Sequence, residues 1–179
     1  MKESSDTNDK YNLISVYGAL FFGVPNGGMD TKALAAMVGD KPQRYDLSLL
    51  DQEVGYRRRN RQHEEFCRAF DFEDSKIIQF FEMRKTSTVI EDPFTKKWTR
   101  AGPKELLVTP ASANLGRRWE TSEDYIVSID ADHSDMVKFP QPDQDGYIKA
   151  RYELRKFAEQ AIVVIERRHG SINSTVSLP

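Results

Sequence analysis

Two near-continuous apolar runs stand out in the hydrophobic pattern of the chain. Val16–Val24 is closed by Pro25, and Lys76–Glu82 reads Lys-Ile-Ile-Gln-Phe-Phe-Glu. Runs of this kind are typical of strands whose two faces are both covered by helices, as in a parallel sheet. Both runs therefore predict parallel-sheet strands. Two shorter apolar runs, Glu105–Val108 and Tyr125–Ile129, are further strand candidates.

Helical periodicity falls between these strands. Thr31–Met37 is an Ala-rich segment, and Gln43–Phe70 carries apolar residues at helical spacing with an expected break near Gly55. Gly146–Arg168 has the clearest helical pattern. In it, one apolar stripe is expected to cover the last strands of the sheet: Leu154, Phe157, Ala158, Ala161, Ile162 and Ile165.

This alternation of strand and helix predicts an α/β fold with a mostly parallel sheet flanked by helices. The length of 179 residues suits one domain. We expect a polar N-terminal segment at 1–16, the domain at 17–168 and a flexible tail at 169–179. Thr86–Ile90 and Lys97–Arg100 are expected to form an exposed hairpin around an Asp-Pro turn.

Composition narrows the possible functions. The formal net charge of −2 offers no basic excess of the kind that nucleic-acid binding needs. The longest apolar runs are too short to span a bilayer, so we expect a soluble protein without an integral membrane segment. The single cysteine, Cys67, fits a reducing compartment, and we expect a cytoplasmic protein. No metal-ligand spacing and no P-loop sequence is present, which predicts a site that needs no metal or cofactor.

In open α/β sheets, ligands bind beyond the carboxyl ends of the strands. The first predicted strand is followed by a turn and the second ends at Glu82, while the last leads into Asp130, Asp132 and His133. The turn consists of Pro25, Asn26, Gly27 and Gly28. A carboxylate before a histidine is the chain order of the α/β-hydrolase triad downstream of its serine.

Several segments resemble a known family: Gly18–Met29, Phe66–Phe72, Phe80–Glu82, Ser112–Gly116 and Asp130–Phe139. They look like the lipase-like α/β-hydrolase domain of serine-active-site-containing proteins and of the related GPI inositol-deacylases. The fungal branch, in which such domains stand at the N-terminus of NACHT-type repeat proteins, is the most similar. The resemblance implies a serine hydrolase fold and an acyl-ester or lipid substrate.

The resemblance also implies a role for individual residues. His133 matches the family's catalytic histidine, the general base, and Glu82 stands where the family's acid follows its strand. Asp130 and Asp132 are the alternative acids, although side chains so close in sequence to the histidine generally point the wrong way. Pro25, Asn26, Gly27 and Gly28 form the turn that would line the site, and we expect both glycines to need a positive φ.

The family's nucleophile is missing from this sequence. Its serine lies in a G-x-S-x-G turn upstream of Val16–Val24, and no such turn occurs here. Ser15, Ser112 and Ser134 lack that strained strand-to-helix turn. The chain thus resembles the C-terminal half of the fold and is expected to be inactive alone. Two hypotheses follow: part of a serine hydrolase whose active form includes an upstream half, or a non-catalytic interaction or signalling module.

Four further expectations concern individual positions. The basic run at 57–61 is expected to form a solvated helix face, His63 to be a helix-surface residue, and His169 to be a cation at a helix C-terminus. In the family's strand order, Val16–Val24 pairs with the nucleophile strand. We therefore expect this strand to present an unpaired edge, to which a protein partner that completes the sheet could bind.

Overall fold

The computed structural model describes residues 7–39, 42–114 and 116–176. The remaining positions, including Leu115 and the ends of the predicted N-terminal segment and tail, lie outside the described residues. The helices are α1 (Thr7–Ile14), α2 (Lys32–Val38), α3 (Gln43–Leu50), α4 (Tyr56–Ala69), α5 (Pro110–Ala113) and α6 (Asp145–Val176). The strands are β1 (Gly18–Phe22), β2 (Lys76–Glu82), β3 (Thr86–Ser87), β4 (Ile90–Glu91), β5 (Trp98–Thr99), β6 (Lys104–Glu105) and β7 (Ile126–Ile129).

A small parallel sheet with the order β1-β2-β7 forms the centre of the fold. Gly18 pairs with Lys76 at the start of the β1-β2 ladder, and Glu82 pairs with Ile129 at the end of the β2-β7 ladder. All three strands run in the same direction, so their carboxyl ends meet at one edge of the sheet. The predicted α/β fold class, a parallel sheet with helices around it, is confirmed.

Both faces of the sheet are buried, as the apolar runs predict. Ile78 and Phe80 of β2 belong to one core cluster, together with Phe157 of α6. Ile77 points to the opposite face and packs with Leu13 of α1 and with residues at the end of α4. Because alternate side chains of a strand point to opposite faces, a strand covered on both sides must be apolar throughout.

Helix α6 covers the sheet with a different phase from the predicted stripe. Phe157, Ala161 and Ile165 pack on the core as expected, but Leu154 and Ile162 are 54% and 65% exposed. Two charged side chains take buried positions instead: Glu153, paired with a lysine of the same helix, and Arg168, paired with Asp74. Pairing offsets the cost of burying these charges, so hydrophobicity alone misplaces the contact stripe. The helix also continues past the predicted boundary at Arg168.

Two short antiparallel ribbons lie beyond the carboxyl edge of the sheet. β4 pairs with β5, so the predicted hairpin is found in part: of its first predicted strand, Thr86–Ile90, only Ile90 belongs to it. β3 pairs with β6, so only the first residue of the predicted strand Glu105–Val108 is extended and paired. Leu107 and Val108 turn inward, where their backbone N–H groups bind a buried carboxylate. The short apolar run is therefore a loop that covers this carboxylate.

A buried ion pair that the sequence pattern does not reveal fixes the start of β2. Arg117 and Glu120 are each 1% exposed and are bound to each other. Glu120 accepts the backbone N–H of Ile77 at 2.8 Å, and Arg117 donates to the Ser75 hydroxyl at 2.6 Å. Each buried charge thus has several hydrogen-bond partners, which is the condition under which such pairs persist in a core.

The outer edge of β1 has no partner strand within the described ranges. The Tyr17 carbonyl and the Gly23 N–H both bind the β2 side. Since backbone groups alternate along a strand, those of Gly18, Leu20 and Phe22 point to the outer edge. This arrangement agrees with the unpaired edge expected from the sequence. No described helix has both the length and the apolar character needed to cross a bilayer.

Candidate functional site

Glu82 and His133 meet at the carboxyl edge of the sheet. Glu82 is the last residue of β2, and His133 lies in the turn that follows β7, 51 positions later. Glu82 Oε2 lies 2.7 Å from His133 Nδ1. The glutamate is fully buried, whereas the imidazole is 31% exposed. The structure therefore brings together the acid and the histidine that the sequence singles out.

The two oxygens of Glu82 have different partners. Oε1 accepts the backbone N–H of Leu107 at 2.5 Å and that of Val108 at 3.1 Å. Oε2 remains for the imidazole. A buried carboxylate is costly unless it is hydrogen-bonded, and here the loop after β6 supplies the bonds. This loop therefore holds the acid in place beneath the histidine.

His133 is held by its backbone and by close packing. Its N–H donates to Thr86 Oγ1 at 2.9 Å. Its ring lies directly against Gly23, where a Cβ would be only 2.9 Å from His133 Cε1, and Gly23 has a φ of +56°. A glycine is thus needed at the end of β1 for both conformation and space.

The contact with Glu82 also fixes the protonation pattern of a neutral imidazole. A carboxylate can only accept, so Nδ1 carries the proton and Nε2 keeps a free lone pair. No hydrogen bond to Nε2 is present among the described residues. His133 is thus arranged to accept a proton from a group brought to Nε2.

Neither of the alternative acids, Asp130 and Asp132, bonds the imidazole. Asp130 forms a two-point pair with Arg84, both bonds measuring 2.7 Å, and hydrogen bonding to this arginine lowers the pKa of Asp130. Asp132 instead accepts the backbone N–H groups of Ser134 and Asp135, which shapes the turn. In a tight turn, side chains next to the histidine point away from Nδ1, so a residue on another strand takes the role.

The turn of Pro25, Asn26, Gly27 and Gly28 packs on α5 rather than on His133. The Gly27 N–H donates to the Ser112 carbonyl at 2.8 Å, and Asn26 Nδ2 donates to the Ala113 carbonyl at 3.0 Å. Only Gly28 has a positive φ, +92°. Gly27 is required instead by close approach, since a Cβ there would lie 3.0 Å from Ser112 Cα. The expectation of a positive φ is therefore confirmed for Gly28 and wrong for Gly27.

Arg59 overturns the expectation that the basic run is wholly solvated. It is 8% exposed and donates to the carbonyls of Leu49 at 2.8 Å and Gln52 at 3.0 Å. A longer bond of 3.3 Å reaches the carbonyl of Gly27. Arg59 therefore ties the α3–α4 connection to the turn after β1. Burial lowers its pKa, and the nearby Asp51 partly opposes this effect.

The serines considered as nucleophiles are all engaged elsewhere. Ser15 lies at the amino end of β1 and contacts His169 Nε2 at 3.0 Å. Ser112 Oγ donates to the Gly28 carbonyl at 2.5 Å, and Ser134 Oγ accepts from Arg100 at 2.8 Å. None of them is bonded to His133, as the missing strand-to-helix turn leads one to expect.

The other two histidines have ordinary structural surroundings. His169 lies within α6, not at its C-terminus, and stacks on Tyr11 with ring centroids 5.7 Å apart. His63 is half-buried on α4, where it contacts Cys67, and burial lowers the pKa of His63. In the part of the chain that the structure describes, no three His, Cys, Asp or Glu side chains are grouped so as to hold a metal ion.

A cleft of about 610 Å³ opens beside His133. Its walls are α2 and the two antiparallel ribbons, and the turn Pro25–Gly28 does not line it. Most of the exposed surface of its lining is apolar, and nine apolar residues line it: Met29, Ala33, Leu34, Ala36, Val89, Ile90, Trp98, Pro103 and Leu107. A mostly apolar cavity of this size with a few polar groups is typical of small-molecule sites.

Comparisons with protein-family models, with curated proteins and with solved structures found no match to this chain. The contact between Glu82 and His133 is therefore the feature that points most directly to a chemistry. Sequence reasoning missed its supporting groups, which are the backbone N–H groups of Leu107 and Val108 and the hydroxyl of Thr86. Backbone donors leave no signal in side-chain identity.

Proposed function

We propose that Glu82 and His133 are the acid and the base of a serine-type hydrolase site. The observation that carries this proposal is the 2.7 Å contact between buried Glu82 Oε2 and His133 Nδ1. In this role Glu82 orients the imidazole and stabilises the imidazolium, while Nε2 takes the proton of a nucleophilic hydroxyl. The chain corresponds, in this proposal, to the C-terminal half of a lipase-like α/β-hydrolase domain.

The position of β1 supports this assignment and indicates where a nucleophile would enter. The outer edge of β1 is free in the described ranges, and its carboxyl end, Gly23, lies against the His133 ring. Strands pair about 4.8 Å apart, so a parallel strand added to this edge would end next to the imidazole. We infer that an upstream half or a partner chain completes the sheet and supplies the serine. The apolar cleft beside His133 fits an acyl-ester or lipid substrate.

A fluorophosphonate probe tests this proposal. The chain of residues 1–179 alone is expected to remain unlabelled, because Ser15, Ser112 and Ser134 have no contact with His133. Co-expression with the N-terminal half of a lipase-like α/β-hydrolase domain, which carries the G-x-S-x-G serine, should yield labelling on that serine. His133→Ala should abolish this labelling, whereas Asp130→Asn should leave it intact.

Two results would count against the hydrolase assignment. One is stoichiometric labelling of Ser15, Ser112 or Ser134 in the isolated chain, located by peptide mapping. The other is labelling of the added half that survives His133→Ala.

The second candidate function is a non-catalytic interaction module. The apolar edge of β1, which pairs with no other strand of the described residues, favours it, because such edges pair with strands of other chains. Size-exclusion chromatography with light scattering, combined with the probe experiment, distinguishes the two candidate functions. A complex with the upstream half that never reacts with the probe would favour the module.

A further inference from the structure

The apolar cleft beside His133 has one polar end, which carries the positive charge of Arg100. His133, Ser134 and Arg100 lie there together, and Arg100 Nη1 donates to Ser134 Oγ at 2.8 Å. No carboxylate lies within ion-pair distance of Arg100 among the described residues. The guanidinium has five N–H donors, so most of them are left for a ligand.

The remaining charges of the lining limit what the cleft can accept. Lys32 is 89% exposed and pairs with Asp30 at 3.5 Å, so it adds little positive charge. Glu91 and Glu105 line the ribbons. With three carboxylates nearby and Arg100 as the unpaired cation of the described lining, a dianionic head group such as a phosphate is disfavoured. A planar monoanion that takes two parallel N–H bonds suits a single guanidinium better.

We propose that this cleft binds a long-chain carboxylate, with its apolar chain along α2 and the ribbons and its carboxylate on Arg100. The binding is reversible and involves no change of covalent bonds. It rests on the proposed hydrolase function for the choice of an acyl chain and names the ligand of the same cleft, but binding requires neither a nucleophile nor a second half of the domain. The isolated chain should therefore bind the ligand even while the fluorophosphonate probe leaves it unlabelled.

Energy transfer from Trp98 to cis-parinaric acid measures this binding. Trp98 lines the cleft, and the other tryptophan, Trp119, packs between Arg117 and Arg118 outside it. Titration of the full chain should give saturable sensitised emission at one site. Trp98→Phe should remove most of this emission, whereas Trp119→Phe, outside the cleft, should change neither the emission nor the affinity measured from the ligand's own fluorescence.

The carboxylate contact is tested with Arg100→Gln. Loss of a charge-assisted contact at this exposed position should weaken cis-parinaric acid about tenfold. The matching alcohol should bind wild type and Arg100→Gln equally. Arg151→Gln is the charge-matched control, because Arg151 is an exposed arginine of α6 outside the cleft, and it should not change either affinity.

The apolar wall is tested with Ala33→Phe, which should fill the cleft and abolish binding of both acid and alcohol. Circular dichroism and thermal melting establish that each variant folds. Arg100 is exposed, so its variant keeps the test decisive even if Ala33→Phe does not fold. Non-saturable binding, an unchanged acid affinity in Arg100→Gln, or full binding by folded Ala33→Phe would each overturn the proposal.

Discussion

Replacing Glu82 with Gln should change the protonated nitrogen of His133. The Gln side chain has the same shape, and its carbonyl oxygen can keep the backbone N–H groups of Leu107 and Val108. Its NH₂ group must then face His133 Nδ1, where Glu82 Oε2 now lies at 2.7 Å. Two donors cannot bond each other, so Nδ1 should lose its proton and Nε2 should gain it.

The structure also sets the size of the stability changes. Glu82→Gln replaces a hydrogen bond to a charged group by a neutral hydrogen bond. Because His133 is partly exposed, this should lower the free energy of unfolding by about 1 kcal/mol. Glu82→Leu is more severe, because it leaves two inward-facing backbone N–H groups without an acceptor. At about 1–3 kcal/mol for each group, the expected loss is about 2–6 kcal/mol.

Nitrogen-15 NMR of the His133 ring and urea unfolding at pH 7 measure these effects. Asp130→Asn is the matched control, since it removes a carboxylate that lies in the same turn after β7 but bonds Arg84 rather than His133 Nδ1. It should change neither the tautomer nor the unfolding curve. An unchanged tautomer in Glu82→Gln, or a Glu82→Leu variant as stable as wild type, would refute the reasoning.

Three further predictions concern stability. Burial tends to raise the pKa of Asp74, but hydrogen bonds from Arg168 and Arg167 outweigh burial and lower the pKa below 3.8. The lowered pKa adds to the free energy of unfolding above pH 3.8, and this stabilisation is lost as the pH falls through the pKa of the folded state. Asp74→Asn should therefore destabilise the protein more at pH 6 than at pH 2, and an equal effect at both would contradict the linkage. Gly23→Ala should destabilise by about 1–3 kcal/mol through strain and contact with His133, whereas Gly170→Ala, in open space on α6, should be neutral or stabilising in the same thermal melts. Arg59→Gln should cost about 1–3 kcal/mol, because the part-buried carbonyls of Leu49 and Gln52 lose their donor, while the exposed Arg57→Gln should melt like wild type; equal melting temperatures for the two variants would contradict the role of Arg59.

The sequence by itself determined the elements of the sheet and the edge at which a site would form. Lys76–Glu82 is a strand with the predicted bounds, and Tyr125–Ile129 differs from β7 by one residue. The helical break near Gly55 is also observed, since α4 begins directly after it. These features depend on local sequence, because a run that is apolar on both faces predicts a buried strand wherever it lies in the chain. Parallel strands end at one edge, which brings Glu82 and His133 together.

The tertiary structure decided which side chains are paired and which are exposed. Arg59 and Arg57 are indistinguishable in a basic run, yet only Arg59 reaches the carbonyls of a distant loop. The same holds for the choice of Glu82 over Asp130, which depends on backbone donors after β6 and on the position of Arg84. Burial of a polar group becomes favourable only when partners from remote segments satisfy it. Chain topology determines which remote segments meet, and the pattern of side chains along the sequence does not reveal these partners.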